Sequence, residues 1–311
     1  MIHLQEVQIF RESKWVCGRY CKYSRKLPQT PWNILSEDDN GKVFVVEKKC
    51  ETSVQELLKF PFEAQVKCDK TNMSSSGRED VDVRMLGNGR PFALEFLNPR
   101  IRFGKMDFQK AYGYYKENVD KISVNSLQEC GKEATQKMLE GAEEKRKHYK
   151  ALCYAKIEKS QKISAHGENG EDGESHDENI DFKKILENLN IPDDVVLQQE
   201  TPLRVLHRRS LAMRPRTVYS TKIEFIENKL NEKGENVTWF TLDLITQAGT
   251  YVKEFVHGDL QRTKPNISKI LNESLGRSDV ICDIAALDVV KIDMVWPPQV
   301  DEHGVLVENS L

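Results

Sequence analysis

Apolar and polar side chains alternate along several short segments, and this alternation limits the possible folds more than any other feature of the sequence. In WFTLDLIT at 239–246, every second residue from Phe240 to Leu244 is apolar and would face the same side of a strand. YKALCYAKI at 149–157 alternates similarly, and ALDVVKIDMVW at 286–296 is typical of a strand that ends before two prolines. Strands outnumber helices in the second half, without a regular succession of strand and helix. The sequence therefore predicts an α+β fold with a large, mixed, mostly antiparallel central sheet flanked by helices.

A helix of about twenty residues is predicted to begin at Ser126. Ser126 and Glu129 have the spacing of a capping box, in which each side chain accepts a hydrogen bond from the backbone N–H of the other residue. The following apolar residues recur at nearly helical spacing and are Leu127, Cys130, Ala134, Met138 and Ala142. We expect this helix to end in the charged sequence EEKRK.

The segment HGENGEDGESHDENID at 166–181 contains seven acidic residues and three glycines, but no Lys, Arg or aromatic residue. Such a composition cannot bury enough apolar surface to order a backbone, so about 159–181 is predicted to be a disordered surface insertion. It could be a solvated loop, or it could compete with phosphates for a basic surface. Removing these seven charges from the net charge of −3 leaves +4 on a mildly basic remainder.

A chain of 311 residues can bury a large core, as one large domain or two smaller ones. Charged residues interrupt the N-terminal segment, unlike a signal peptide, and no run approaches the roughly 20 apolar residues of a membrane-spanning helix. The seven cysteines are odd in number and mostly far apart, which favours reduced, packed thiols over disulfides. Cys17 and Cys21 come nearest to a metal pair, but no second pair follows at zinc spacing. A cytoplasmic or nuclear protein is expected.

The segment SSSGREDVDVRMLGNGRPFALEF at 74–96 holds an unusual density of opposite charges. Gly77 is predicted to allow a turn, after which DVDVRML would form a strand that ends at Gly87 and Gly89. A period of two places one set of side chains on a charged face, namely Asp80, Asp82 and Arg84, and the other set on an apolar face, namely Val81, Val83 and Met85. Both carboxylates are therefore expected on the same face.

Three interpretations of this charged segment compete. It could be the solvated face of a half-buried strand, which is the usual state of charged residues. It could hold a divalent metal, although Arg78 and Arg84 would repel the cation. It could present one catalytic carboxylate that neighbouring cations keep ionised, and the arginines favour this third interpretation.

The sequence GREDVDVRMLGNGRPFALEFLNPR resembles the central motif of pseudouridine synthases, in which a Gly-Arg-x-Asp turn presents the single catalytic aspartate. The longer match is similar to the family of tRNA pseudouridine synthases that act on the T-loop in archaea and eukaryotes. Three further blocks agree in order and spacing: RYCKYSRKLPQTPW, TPLRVLHRRSLAMRPR and QAGTYVKEFVHGDLQRTKPNI. The resemblance implies the pseudouridine synthase catalytic fold.

The resemblance also implies roles for four residues. Asp80 would be the catalytic carboxylate, Tyr149 would stack on the target base, Val252 would pack against the opposite side of the base, and Lys253 would pair with Asp80. Without the resemblance, Tyr149 and Val252 would be interpreted as core residues and Lys253 as a surface lysine. The reaction that the resemblance implies needs neither a metal nor a cofactor.

Three basic clusters suggest surfaces that follow the phosphates of a tRNA T-arm. One surrounds Arg204 to Arg216, a second extends from Lys253 to Lys264, and a third contains Arg19, Lys22, Arg25 and Lys26. The residues predicted to bind RNA are Arg78, Arg208, Arg209, Arg262 and Lys264. The target uridine must be turned out of the folded T-loop, at a cost of a few kcal/mol that these contacts would supply. A monomer is expected.

Two features depart from the family pattern. Gln261 stands where the family is expected to have glycine, which puts the local turn in doubt. Family members are also expected to carry an accessory RNA-binding domain of the THUMP type before the catalytic domain. Residues 1–15 are therefore interpreted as a remnant of that region, and residues 16–311 as the catalytic domain.

Three functions remain open on the sequence. The first is a tRNA pseudouridine synthase that converts a T-loop uridine, at position 54 or 55 of the tRNA, to pseudouridine. The second is a non-catalytic RNA-binding or processing factor that retains the synthase fold. The third is a metal-dependent nuclease, for which further carboxylates at suitable positions are lacking.

Overall fold

The computed structural model describes residues 11–38, 41–100, 106–158, 181–207 and 209–307. The helices in these ranges are α1 (Val54–Val66), α2 (Phe108–Glu117), α3 (Lys132–Ala142), α4 (Phe182–Asn188), α5 (Val252–His257) and α6 (Ile267–Leu275). The strands are β1 (Lys14–Lys22), β2 (Asn33–Glu37), β3 (Val43–Lys48), β4 (Lys70–Ser75), β5 (Arg84–Leu97), β6 (Ile122–Cys130), β7 (Lys147–Ile157), β8 (Val195–Glu200), β9 (Met213–Leu230), β10 (Asn236–Thr246), β11 (Thr263–Lys264) and β12 (Val280–Ile292).

Ten strands form one large, mostly antiparallel sheet in the order β11-β8-β9-β10-β7-β12-β5-β1-β6, with β4 also paired to β5. The pairing of β12 with β5 is parallel, with Asp288 opposite Arg84. The pairings of β1 with its two neighbours and of β9 with its two neighbours are antiparallel. Strands β2 and β3 form a separate two-stranded sheet with exposed side chains. The predicted α+β fold with a large antiparallel sheet is confirmed.

The chain divides into two compact units, of which the first comprises Met1–Lys147 and Asp288–Leu311. Its core lies between the β1–β5 part of the sheet and helices α1 and α2. The rings of Phe62 and Phe96 pack with centroids 6.0 Å apart, and the Tyr115 hydroxyl donates to the carbonyl of Leu58 at 2.8 Å. Ser53 caps α1 by accepting from the N–H of Glu56, which satisfies one of the free donors of the first turn.

The second unit comprises His148–Leu287. Its longest hairpin joins β9 to β10, and Phe240, Leu242 and Leu244 of β10 are buried on one side, as their alternation predicted. In β7, the small residues Ala151 and Cys153 are likewise buried, which confirms the predicted strand at 149–157. The half-buried antiparallel strand is therefore the element that the sequence pattern identifies best in this unit.

The prediction of a helix beginning at Ser126 was wrong. Ser126 lies inside β6 with a positive φ of 56°, where β1 and β6 shift register, and α3 begins only after its N-cap Gly131. The bulge buries both Ser126 and Leu127, so the simple alternation of a strand is lost at this point. The Ser-x-x-Glu spacing was therefore a coincidence within a bulged strand.

The predicted strand at 286–296 is shifted toward the N-terminus, since β12 covers Val280–Ile292. The strand ends at Ile292, and the N–H of the next residue, Asp293, donates to the carbonyl of Arg146 at 3.1 Å. The prediction of disorder at about 159–181 falls almost wholly outside the described residues; Asp181 itself caps α4. None of the helices in the described ranges is long and apolar enough to cross a membrane.

Candidate active site

The GRED sequence at 77–80 lies in the loop between β4 and β5 in the first unit; we call this loop, residues 76–83, the GRED turn. The prediction that Asp80 and Asp82 lie on one face of a strand was wrong, because β5 begins only at Arg84. The N–H of Val83 donates to the carbonyl of Asp80 at 3.2 Å, which closes a tight turn over residues 80–83. Asp80 is half-buried, whereas Arg78 and Asp82 are exposed. The closed turn therefore begins at Asp80, the last residue of GRED, and the catalytic role of Asp80 stays a prediction.

Gly87 and Gly89, which were predicted to end a strand, lie inside β5. Both have positive φ values, 60° and 78°, which L-residues with a side chain rarely adopt. A Cβ at position 89 would lie 2.7 Å from the carbonyl oxygen of Tyr20, and one at position 87 would lie 2.1 Å from that of Val290. Glycine is required here because neighbouring strands approach the backbone of β5 closely.

Buried side chains hold the backbone carbonyls of the turn in place. The Lys22 Nζ donates to the carbonyls of Asp80 and Val81, at 2.9 Å each. The Gln29 Nε2 donates to the carbonyl of Gly77 at 3.0 Å, and the Arg90 Nη1 to that of Ser76 at 2.8 Å. Because each bond fixes a different peptide unit, the turn has little freedom to move.

A buried ion pair lies beneath the turn. Glu79 accepts from the Arg90 Nε at 2.8 Å, and the two side chains are 0% and 1% exposed. The Tyr20 hydroxyl also donates to Glu79, at 3.0 Å. Burial raises the pKa of the Tyr20 hydroxyl well above its ordinary value, and the neighbouring carboxylate adds to that shift. Glu79 thus points into the core, while Asp80, the next residue, is half-buried in the turn.

A second charged group holds the end of the turn to the start of β5. Asp288 of β12 accepts from Arg84 at 2.5 Å and from Arg25 at 2.6 Å. Arg25 also donates to the carbonyl of Asp82 at 2.9 Å. Burial raises the pKa of Asp288, but the bonds from Arg84 and Arg25 outweigh that effect and hold the pKa below its ordinary 3.8.

The prediction that Arg19, Lys22 and Arg25 belong to a phosphate-binding surface was wrong for the first two residues. Arg19 is buried and donates to four backbone carbonyls, those of Asn88, Gly89, Met294 and Trp296. Lys22 is fully buried under the GRED turn. Of the predicted cluster, Lys26 remains exposed. Strand β1 lies between β5 and β6, and its Arg19 and Lys22 are buried and hydrogen-bond to backbone carbonyls.

The three pocket residues implied by the resemblance belong to the second unit. Tyr149 is half-buried in β7, Val252 is buried in the first turn of α5, and Lys253 follows it and is half-buried. The side chain of Gln199 makes two hydrogen bonds of 3.0 Å to the backbone of Tyr251, at the N-cap of α5. This pair fixes the backbone immediately before Val252 and Lys253. Their convergence on Asp80 remains a prediction.

The start of α5 is also anchored by charge. Glu254 is buried and accepts from the Nε of the partly exposed Arg204 at 2.7 Å, so Arg204 has a structural partner within its unit. Arg262 pairs with Glu200 at 2.8 Å and donates to the carbonyl of Thr201 at the same distance. Much of the hydrogen-bonding capacity of both arginines is therefore used inside the protein.

Among the other predicted RNA-binding residues, Arg78, Arg209 and Lys264 are exposed. Arg208 lies outside the described residues. Gln261, in the loop after α5, has a φ of +69°, the conformation for which the expected family glycine is suited.

All seven cysteines are free, and four of them are buried: Cys17, Cys21, Cys153 and Cys282. In the described ranges, no group of three or more His, Cys, Asp or Glu side chains is placed to hold a metal ion. The predicted packing of most thiols is thereby confirmed.

The sequence analysis did not identify the buried side chains that hold the GRED turn. Tyr20, Lys22 and Gln29 come from the RYCKYSRKLPQTPW block, which the resemblance singled out without assigning a role to these residues. The sequence alone carried no such signal: a lysine and an arginine need buried partners only if their segment is a strand in the middle of a sheet, and no strand was predicted there. The position of β1 in the sheet supplies the missing condition.

Comparison with known proteins agrees with this geometry. The family model described as Pus10, C-terminal, matches residues 15–172 and 175–293. The tRNA pseudouridine synthase Pus10 of Homo sapiens is 41% identical over 298 residues, which are 96% of this chain and 47% of the human protein. The protein of the same name from Methanocaldococcus jannaschii is 33% identical over 296 residues, 93% of this chain and 55% of the archaeal one. The chain spans about half the length of the curated relatives it matches. The resemblance is confirmed, and the chain belongs to the Pus10 C-terminal family.

Proposed function

We propose that this chain converts a T-loop uridine of tRNA, at position 54 or 55, to pseudouridine, with Asp80 as the catalytic carboxylate. The relatives are named tRNA pseudouridine synthases, which supports tRNA as the substrate and pseudouridine formation as the reaction. The observation that carries the proposal is the GRED turn, whose carbonyls are held by Lys22, Gln29 and Arg90 while Asp80 itself remains half-buried. A carboxylate fixed in this way can be aimed at a reacting atom with little loss of entropy on binding.

The reaction rearranges one nucleotide without a net change in composition. The bond between C1′ of the ribose and N1 of uracil breaks, and a bond from C1′ to C5 of the rotated base forms. The hydrogen on C5 is released to solvent and N1 gains a proton. Asp80 assists the first step either by adding to C1′ or by promoting loss of the C2′ proton, and both routes remain open.

The family resemblance assigns three residues of the second unit to binding the target base and the carboxylate. Tyr149 stacks on the extruded base, and Val252 packs on its other side. Lys253 supplies a positive charge that would attract the Asp80 carboxylate. Arg78, Arg209 and Lys264 supply exposed positive charge for the phosphates, with Arg208 and the ion-paired Arg262 as further contacts.

The test uses a tRNA transcript labelled with tritium at C5 of uracil. Wild-type protein is expected to release tritium to water, and Asp80→Asn is expected to lower the rate by at least about 100-fold. The matched control is Asp82→Asn, which removes a carboxylate from the same turn and should retain tritium release. If Asp80→Asn releases tritium as fast as Asp82→Asn, the catalytic assignment is wrong.

Two further arms separate the alternatives. Tight tRNA binding without tritium release by the wild type would favour an RNA-binding factor that retains the fold. Cleavage of the transcript that EDTA abolishes would favour a nuclease.

Lys253→Met should lower the rate while leaving the tRNA dissociation constant nearly unchanged, since its proposed partner is Asp80 and not a phosphate. Sequencing the modified positions in a tRNA pool then tests the T-loop preference.

A further inference from the structure

Lys22 is the last residue of β1, and its side chain is fully buried. Its ammonium group has three N–H donors, and three backbone carbonyls accept from it at 2.9 Å: those of Leu27, Asp80 and Val81. One of these carbonyls belongs to the peptide unit that joins Asp80 to Val81, and another belongs to the next unit, between Val81 and Asp82. All the donors of the lysine are therefore used, and two of them hold the two peptide units that directly follow the Cα of the proposed catalytic residue.

The hydrogen bonds of Lys22 end on carbonyl oxygens, although a carboxylate lies close by. Glu79 is already engaged by Arg90 and Tyr20. Burying an ammonium group whose hydrogen-bond acceptors are all uncharged carbonyls costs more than burying an apolar side chain of similar volume. Such an arrangement is retained at a cost in stability, which suggests that the three bonds serve a purpose other than stability.

We propose that Lys22 is a positioning residue for catalysis: its ammonium group fixes the peptide units around Asp80 and thereby orients the Asp80 carboxylate toward the ribose. The inference rests on the proposed function. Lys22 does not touch the substrate in this scheme and acts through the Asp80 backbone. Its positive charge also attracts the Asp80 carboxylate.

If Lys22 positions Asp80, the rate of the reaction should depend on the protonation of Lys22. A purely structural role of Lys22 would not produce this pH dependence of the rate. Burial lowers the pKa of Lys22 to about 8, with Glu79, Asp82 and Asp80 of the turn opposing the shift and Arg90 of β5 adding to it. A neutral amine has two N–H donors and would turn its lone pair toward the third carbonyl. The turn should therefore loosen as the pH rises through about 8.

Global stability should respond to pH in the opposite direction. The lowered pKa means that the unfolded chain binds the proton more tightly, so this group makes the folded state more stable as pH rises between about 8 and the ordinary 10.5. Turnover is expected to fall over the same range. Lys147, whose pKa is also lowered to about 8 by burial, lies next to Gly77 and titrates in the same window, so it needs its own variant.

The experiment measures single-turnover tritium release and tRNA affinity between pH 6.5 and 9.5. At neutral pH, Lys22→Met is expected to lower the rate of release by about 10- to 100-fold, as a misplaced catalytic group does, with the tRNA dissociation constant changed by less than about 3-fold. The alkaline fall in rate should be present in the wild type and in Lys147→Met, and absent in Lys22→Met. Lys22→Arg, which stays charged throughout, should retain part of the activity without the alkaline fall.

The rate of amide hydrogen exchange at Val83 measures how firmly the turn is closed, because this N–H donates to the Asp80 carbonyl. This measurement does not depend on enzymatic activity. Lys22→Met should speed this exchange at least about 10-fold, corresponding to one lost hydrogen bond, and high pH should do the same in wild type after correction for intrinsic rates. An unchanged rate of tritium release in a folded Lys22→Met protein, or equal losses of rate and affinity, would overturn the inference. If the wild type releases no tritium, the proposed function fails, and the Val83 exchange then decides whether Lys22 holds the turn.

Discussion

Replacement of Glu79 by glutamine tests how much of the stability of the first unit depends on the ion pair beneath the turn. Glu79 and Arg90 are essentially inaccessible to solvent, so Glu79→Gln leaves a buried guanidinium without a counter-charge. Removing one partner of such a pair costs roughly 3–5 kcal/mol. The glutamine oxygen can still accept one hydrogen bond, which places the expectation near the lower limit. A loss of about 3 kcal/mol is a large fraction of the roughly 5–15 kcal/mol that stabilises a folded domain.

Urea unfolding followed by tryptophan fluorescence measures this loss. With an m-value of roughly 3 kcal/mol per molar urea, the midpoint should fall by about 1 M. The matched control is Glu302→Gln, which breaks the exposed pair with Lys116, whose side chains are 73% (Lys116) and 46% (Glu302) exposed. This control should lose less than about 1 kcal/mol. Glu79→Gln combined with Arg90→Met should recover part of the loss, because no unpaired charge remains.

A Glu79→Gln midpoint that falls no further than the Glu302→Gln midpoint would refute the reasoning. It would mean that water or a rearranged side chain reaches Arg90 as easily as it reaches a surface lysine. A double variant less stable than Glu79→Gln alone would show instead that the methionine packs poorly in the space left by Arg90.

Two further substitutions test local features. Gln261→Gly should raise the free energy of unfolding by up to about 1 kcal/mol in thermal melts, because position 261 has a φ of +69° that glycine adopts without strain; an equal or lower melting temperature would contradict this. The lowered pKa of Asp288 means that its ion pairs stabilise the fold above the ordinary value of 3.8 and that this contribution is lost as pH falls through the lower folded value. Asp288→Asn should therefore be less stable than wild type at pH 6 in urea, and the two stabilities should converge toward pH 2; a constant difference would contradict the assignment.

The parts of the fold that could be predicted from sequence are those in which the type of each residue follows from a local condition, such as burial on one side of a strand. Strand β10 was identified because its alternate side chains are buried on one side only. The GRED segment has the same period of two, yet residues 80–83 form a turn, since Lys22 and Arg25 hold carbonyls that a neighbouring strand would otherwise hold. Local spacing carries no information about donors that come from 58 residues away.

The site shows the same limit for charged residues. Arg19 and Lys22 were interpreted as surface cations, because arginine and lysine are rarely buried. Their partners are backbone carbonyls, which every residue possesses, so nothing in the sequence distinguishes the acceptors. Asp80, by contrast, was predicted from a motif whose chemistry requires one carboxylate, and its catalytic role stays a prediction.

The way in which Arg19 is satisfied has a consequence for the order of synthesis. Two of its four acceptors are the carbonyls of Met294 and Trp296, 275 and 277 residues further along the chain. On the ribosome, β1 is synthesised long before Met294 and Trp296 and cannot complete its interior contacts until both of these residues have left the exit tunnel. His148–Leu287, which is continuous in sequence, can finish folding during that interval. In a nascent chain arrested before residue 294, the Arg19 guanidinium would lack these two acceptors. We expect chaperones and proteases to bind such a chain.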